Sequence, residues 1–194
     1  MKLLTNVLFG FAVALLVGCS QPGEVDADSS SSDLATRAGA PLFDNMGVFT
    51  MPITTADADA QKYFNQGMVL AFAFNHAESI RSFKAAQTLD PSCAMCFWGE
   101  ALATGPNINV TSKGKVIMSA QERQNAYAAL QQAIALIGGV SQREQAYINA
   151  LSARYNGDVD SPRAPLDLAW AKAMGELAAQ YPQDMNAASI YAEA

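Results

Sequence analysis

The sequence predicts an all-α protein built from helical hairpins, and three observations carry that reading. The chain is heavy in Ala, Leu, Gln and Met and poor in β-branched runs, a mix that favours helix over strand. Beyond Ala60 its apolar residues recur at helical spacing. Helix-start signals, a Ser or Asn followed three residues later by Glu, stand at Asn75 and Ser141 before two of those runs.

The chain opens "MKLLTNVLFGFAVALLVGCS", with one lysine, an apolar run from Val7 to Val17 and then small residues. The run is too short to span a bilayer and reads as a secretory signal peptide, residues 1–18. Its closing "LVGC" resembles the lipobox of bacterial lipoproteins. That resemblance implies cleavage before Cys19, a diacylglycerol on the Cys19 thiol and, with Ser20 next, an outer-membrane address facing the periplasm. Residues 19–41, rich in Ser, Asp, Gly and Pro, have little to bury and are expected to form a disordered tether. Residues 42–194, about 150, suffice for one domain with a core. All 18 acidic residues follow the signal, against 12 basic ones of which Lys2 lies within it. So acidic a domain is a poor ligand for nucleic acid or anionic lipid heads, which leaves the N-terminal lipid as its expected membrane contact.

Internal repetition gives the architecture. In "QKYFNQGMVLAFAFNHAESIRSFKAAQTLDP" the residues Tyr63, Gly67, Leu70, Ser79, Phe83, Ala86 and Pro91 match the spacing of the tetratricopeptide repeat over Ala60–Cys93, with Gln66 where the pattern has leucine. Each slot has a packing reason: Gly67 and Ser79 allow close approach, Phe83 fills the space between helices, and Pro91 starts the next unit. Asn75 reads as an N-cap with Glu78 completing a capping box, which puts His76 in the first turn. Asp90 and Pro91 read as N-cap and first residue of a helix that runs to about Thr104 and stops at Gly105 and Pro106. A loop follows, in which Asn107 and Asn109 read as satisfying backbone groups. Further helices are expected from about Ser119 to Ile137, broken by Gly138 and Gly139, and from Ser141, capped with Glu144, to Tyr155. In "APLDLAWAKAMGELAAQYP" Met174 and Pro182 repeat the spacing of Phe83 and Pro91, with Trp170 in the small slot. The last residues begin another helix with Ile190 and Tyr191 still to bury, so the protein is expected to continue beyond Ala194 as an α-solenoid.

The block "FNHAESIRSFKAAQTLDPSCAMCFWGEALATGPNIN" resembles a family of bacterial secreted or lipid-anchored tetratricopeptide-like proteins in which FNHxE, DPxCAM, WGxA and GPNxN occur together. "PITTADADAQKYFNQG" and "EQAYINALSARY" fit the same family, so the likeness spans most of residues 42–194. It implies a repeat fold and an envelope address and no particular activity.

In such repeats the inner face is lined by fixed slots of each first helix, which carry Gln61, Phe64, Met68 and Phe72, then Met95, Trp98 and Leu102. Such a row either receives an extended or helical peptide or is covered by later helices. On the first alternative the chain is a protein- or peptide-binding scaffold, and Trp98→Ala is expected to weaken partner capture with helicity intact. Cys93 and Cys96, a CxxC at a helix start, read as a disulfide, as two packed thiols or as a redox or metal pair. Copper(I) is the metal alternative, with Met68, Met95 and His76 as further ligands. Haem attachment needs a histidine where Phe97 stands, and a zinc quartet needs a second ligand pair. With one histidine, no GxSxG and no phosphate-gripping glycine loop, no catalytic step is expected in these residues.

Overall fold

The computed structural model describes residues 27–106 and 118–194. The expected signal peptide, Cys19 and residues 107–117 lie outside them. Among the described residues the regular structure is helical: α1 (Ala27–Ala38), α2 (Ala58–Phe72), α3 (His76–Leu89), α4 (Ala94–Thr104), α5 (Ala120–Ala135), a 3-10 turn (Ile137–Gly139), α6 (Gln142–Ser152), α7 (Arg163–Gln180) and α8 (Met185–Glu193).

From α2 onward each helix packs on the next, and α2 also touches α4, as α4 touches α6. The first turns of α2, α4, α6 and α8 gather at one end, where Arg143 of α6 pairs with Asp184 before α8 at 2.6 Å. Their last turns gather at the other, where Arg154, just past α6, donates to the Pro106 carbonyl at 2.5 Å. Tyr155 likewise donates to the Ala101 carbonyl of α4 at 2.8 Å, so residues after one helix satisfy the orphan carbonyls at the end of another.

Phe83 sits at the centre of the α2, α3 and α4 packing, edge-on to Phe64 with ring centroids 5.5 Å apart. Gly67 and Gly99 both lie against its ring, which explains the Gly67 slot and adds a second glycine to it. Ser79 Oγ donates to the Gly67 carbonyl at 2.7 Å across the same close approach. Two residues past α2, Phe74 sits at φ 60, a left-handed position that glycine usually fills, while Asn75 N donates to the Leu70 carbonyl at 2.8 Å.

Four sequence expectations change. First, the stretch read as the end of a disordered tether is helical over Ala27–Ala38 and packs on α3, with Ala38 and Ala40 in the core. The chain after it is tied down by Tyr63, whose hydroxyl donates to the Ala40 carbonyl at 2.6 Å. Gln66, the departure from the repeat pattern, explains the rest: its Oε1 accepts from Phe43 N at 2.7 Å, and its Nε2 donates to the Pro41 carbonyl and to Ser82 Oγ, both at 3.0 Å. Second, α4 starts at Ala94 with Cys93 as its N-cap, because Asp90 is drawn to other partners described below. Third, Asn75 does cap α3, at 3.5 Å from Glu78 N, while the Glu78 carboxylate pairs with Arg81. Fourth, α6 ends at Ser152, short of Tyr155. The capping box at Ser141 and Glu144 forms, and Ser119 with Glu122 makes another.

Candidate functional site

The inner face formed by α2, α4 and α6 is closed. Phe64, Met68, Met95 and Trp98 are each 0 % exposed, so these four cannot line an open groove. Two packing partners explain this: Phe64 is held against Phe83, and Trp98 packs edge-on to Tyr147 of α6 at 5.4 Å while its Nε1 donates to the Tyr147 carbonyl at 3.1 Å. Leu102 is half-buried against the same core, and Phe72 alone of the six is exposed, at 37 %.

What lies along this face is the protein's own segment "FTMPITTA", Phe49 to Ala56. Its burial alternates, with Phe49, Met51 and Ile53 turned inward and Thr50, Pro52 and Thr54 exposed, the period-two pattern of extended chain. Phe49 meets Phe72 edge-on at 6.0 Å, and Met51 is fully buried. Successive main-chain groups of the segment are caught by side chains. Asn65 Oδ1 accepts from Met51 N at 3.2 Å. Gln61 donates to the Met51 carbonyl and accepts from Ile53 N, both at 3.0 Å. Arg143 donates to the Pro52 carbonyl at 3.3 Å. Glu144 accepts from Thr54 N and from its hydroxyl, and Asp90 accepts from the Thr55 hydroxyl at 2.6 Å and from Ala56 N at 3.0 Å. Gln61 was among the slots read from the sequence; Asn65, Asp90, Arg143 and Glu144 were not. The signal available for Asn65 was its place one helical turn after Gln61 on the same face.

These anchors are electrostatically set. Burial raises the Asp90 pKa, but hydrogen bonds from Ser92, Thr55 and Ala56 outweigh it and hold the carboxyl down at about 2. Glu144 is likewise lowered, burial being overcome by donors from Ser141 and Thr54. Asp184 is lowered too, against burial, by hydrogen bonds from Arg143 and Tyr147. Tyr147, whose hydroxyl donates to Asp184 at 2.9 Å, is raised by burial and by that carboxylate. Arg143 therefore joins two things, the extended segment through Pro52 and the start of α8 through Asp184. Beyond Arg143 the face opens into a groove lined by Tyr181, Pro182, Asp184, Met185 and Asn186, and Met185 is largely exposed.

Cys93 and Cys96 are joined in a disulfide, and both residues are fully buried. Cys93 Sγ also accepts from Cys96 N at 3.2 Å, so the sulfur doubles as the α4 cap. The copper grouping does not assemble. His76 lies near Ala103 at the far end of α4, about 15 Å along the helix from Cys93. Met68 and Met95 are core residues, and among the described residues no three of His, Cys, Asp and Glu come together as a metal set. Burial lowers the His76 pKa and favours the neutral imidazole, although Glu193 opposes this. Among the described residues neither ring nitrogen makes a hydrogen bond of good geometry, the nearest partner being the Ala103 backbone.

Comparison with family models, with curated proteins and with solved structures finds no match to this chain. Among the described residues no helix is long and apolar enough to cross a membrane.

Proposed function

We propose that this chain is a lipid-anchored, outer-membrane scaffold of tetratricopeptide-like hairpins that faces the periplasm and binds extended segments of partner proteins. The observation that carries the binding reading is the row of side chains on the inner face that grips main-chain groups of an extended segment, residues 51–56. Such contacts read backbone and alternate side chains, which is how a scaffold accepts a peptide with modest sequence demands. The contacts of α2 with α4 and of α4 with α6 support the solenoid reading, since they stack three successive first helices on one another. The partner's place on this reading is the open groove beyond Arg143, where Met185 offers an apolar anchor beside charged and amide groups.

A photo-crosslinking residue placed at Met185 in the full chain, in its native host, tests this. A discrete adduct from Met185, absent when the probe sits at exposed Lys172 on α7, is the expected result. The same products from both positions, or none from either, would overturn it.

A thiol-redox role has one observation in its favour, the Cys93–Cys96 disulfide at the start of a helix. Both sulfurs are buried, so exchange requires that the helix start to open. A reduction potential well above about −300 mV would favour this role, and one below it a structural bond.

A further inference from the structure

The segment on the inner face has the features of a ligand held in cis. Its inward side chains alternate, all its anchors to α2 and α6 come from side chains, and its two flanks differ in how they are held. On the downstream side Asp90 pins Thr55 and Ala56, and Asp57 caps α2. On the upstream side, among the described residues, 44–48 make no hydrogen bond; they bend at Gly47, φ 79, and Val48 is fully exposed. The segment is therefore held less firmly on its upstream side, between the anchors at Phe43 and Met51.

We propose that residues 49–54 occupy an exchangeable site, and that the inner face takes in their place an extended segment of the pattern aromatic, any, Met, Pro, aliphatic, Thr from a partner protein. The inference goes beyond the open groove at Met185, adding a second site on the inner face, and rests on the scaffold reading. The site's chemistry sets the pattern. An aromatic side chain meets Phe72, a long unbranched one fills the space now held by Met51, and an aliphatic one follows at the Ile53 position. Proline fits between them, since Pro52 is exposed and only its carbonyl is used, by Arg143. A hydroxyl residue ends the pattern, because Glu144 accepts from both the amide and the hydroxyl of Thr54. An acidic residue at the inward positions is excluded by burial in a face that holds Glu144 and Asp90.

The probe is a fluorescent synthetic peptide of residues 49–56, Phe-Thr-Met-Pro-Ile-Thr-Thr-Ala, titrated into the full chain and into a full-length M51D/I53D variant. Binding to the variant at least tenfold tighter than to the unaltered chain is expected, with no binding of a peptide carrying the same two aspartates. A variant that keeps its helical circular dichroism but binds neither peptide, or binds both alike, overturns the proposal. Hydrogen exchange on the unaltered chain decides the matter if the variant fails to fold. The amides of Met51, Ile53 and Thr54 are expected to open well before those of α2 and α4, and exchange only with global unfolding overturns the site. Failure here with a Met185 adduct retained would leave the open groove as the binding face, whereas loss of the adduct alone would remove the partner and not the site.

Discussion

Phe83 is wedged between two backbones that have no side chain to offer it. A Cβ added at Gly67 would lie 2.7 Å from its ring, and one at Gly99 only 2.3 Å. Alanine favours the helix over glycine by about 1 kcal/mol, but overpacking a ring that is itself held by Phe64 costs about 1–3 kcal/mol. Gly99→Ala is therefore expected to lower the unfolding free energy, more so than Gly67→Ala, and Phe83→Leu should recover part of the loss in the Gly99→Ala background. Urea denaturation of these three variants beside the unaltered protein decides this, and a neutral Gly99→Ala would show that the ring moves freely. At Asp90 the prediction concerns pH. Its carboxyl is depressed from 3.8 to about 2, so its contribution to stability is fully present above the unfolded value and is lost as pH falls through the folded one. The expected loss between pH 4 and 2 is about 2 kcal/mol, with a flatter profile in Asp90→Asn. Parallel profiles for the two proteins would remove Asp90 as the cause.

Among the elements, the helices from α2 onward were legible and the extended segment was not, for a physical reason that Gln66 makes plain. Helix starts announce themselves locally, as Ser141 and Glu144 do, because cap and acceptor are three residues apart. The segment from Ala40 to Ala56 gains its order from groups 8 to 91 residues away, so its local composition reads as tether and loop. Helix α1 was misread in the same way, its Ser and Asp content masking the burial of Ala38. Gln66 carried the clue as a polar residue in an apolar slot. Restoring the pattern with Gln66→Leu would leave Phe43 N without its acceptor and the Pro41 carbonyl without its donor, while Ser82 Oγ would keep its own bond to the Glu78 carbonyl. Each orphaned buried group costs about 1–3 kcal/mol, more than leucine gains by burial in a slot shaped for an amide. The consensus-like substitution is thus expected to destabilise, with faster hydrogen exchange at residues 40–43. A stabilised Gln66→Leu protein would mean that these contacts contribute nothing.

Across the whole molecule, one line of contacts runs from α4 to α8. Trp98 donates to the Tyr147 carbonyl and packs on its ring, Tyr147 donates to Asp184, and Asp184 caps α8 at Asn186 and Ala187 while pairing with Arg143, which reaches the extended segment at Pro52. A slot that repeat spacing assigns to the inner face is in this chain the junction of the core. The reason lies outside any single repeat, since the residue that covers Trp98 comes from α6, 49 positions later. Trp98→Ala consequently has a different expected outcome from the one its spacing suggests. It removes a fully buried indole together with its bond to the Tyr147 carbonyl, which lies within α6, and a substitution of that kind costs about 3–5 kcal/mol. The loss should be global: the urea midpoint falls with an unchanged slope, and protection is lost together in α4, α6 and α8. Tyr147→Phe provides the graded comparison. It keeps the ring against Trp98 and deletes only the bond to Asp184, which retains Arg143, so about 1 kcal/mol is expected, confined to α8. If Trp98→Ala instead left the midpoint within the span of that milder variant, the indole would not be part of the core, and its slot would belong to the binding face after all.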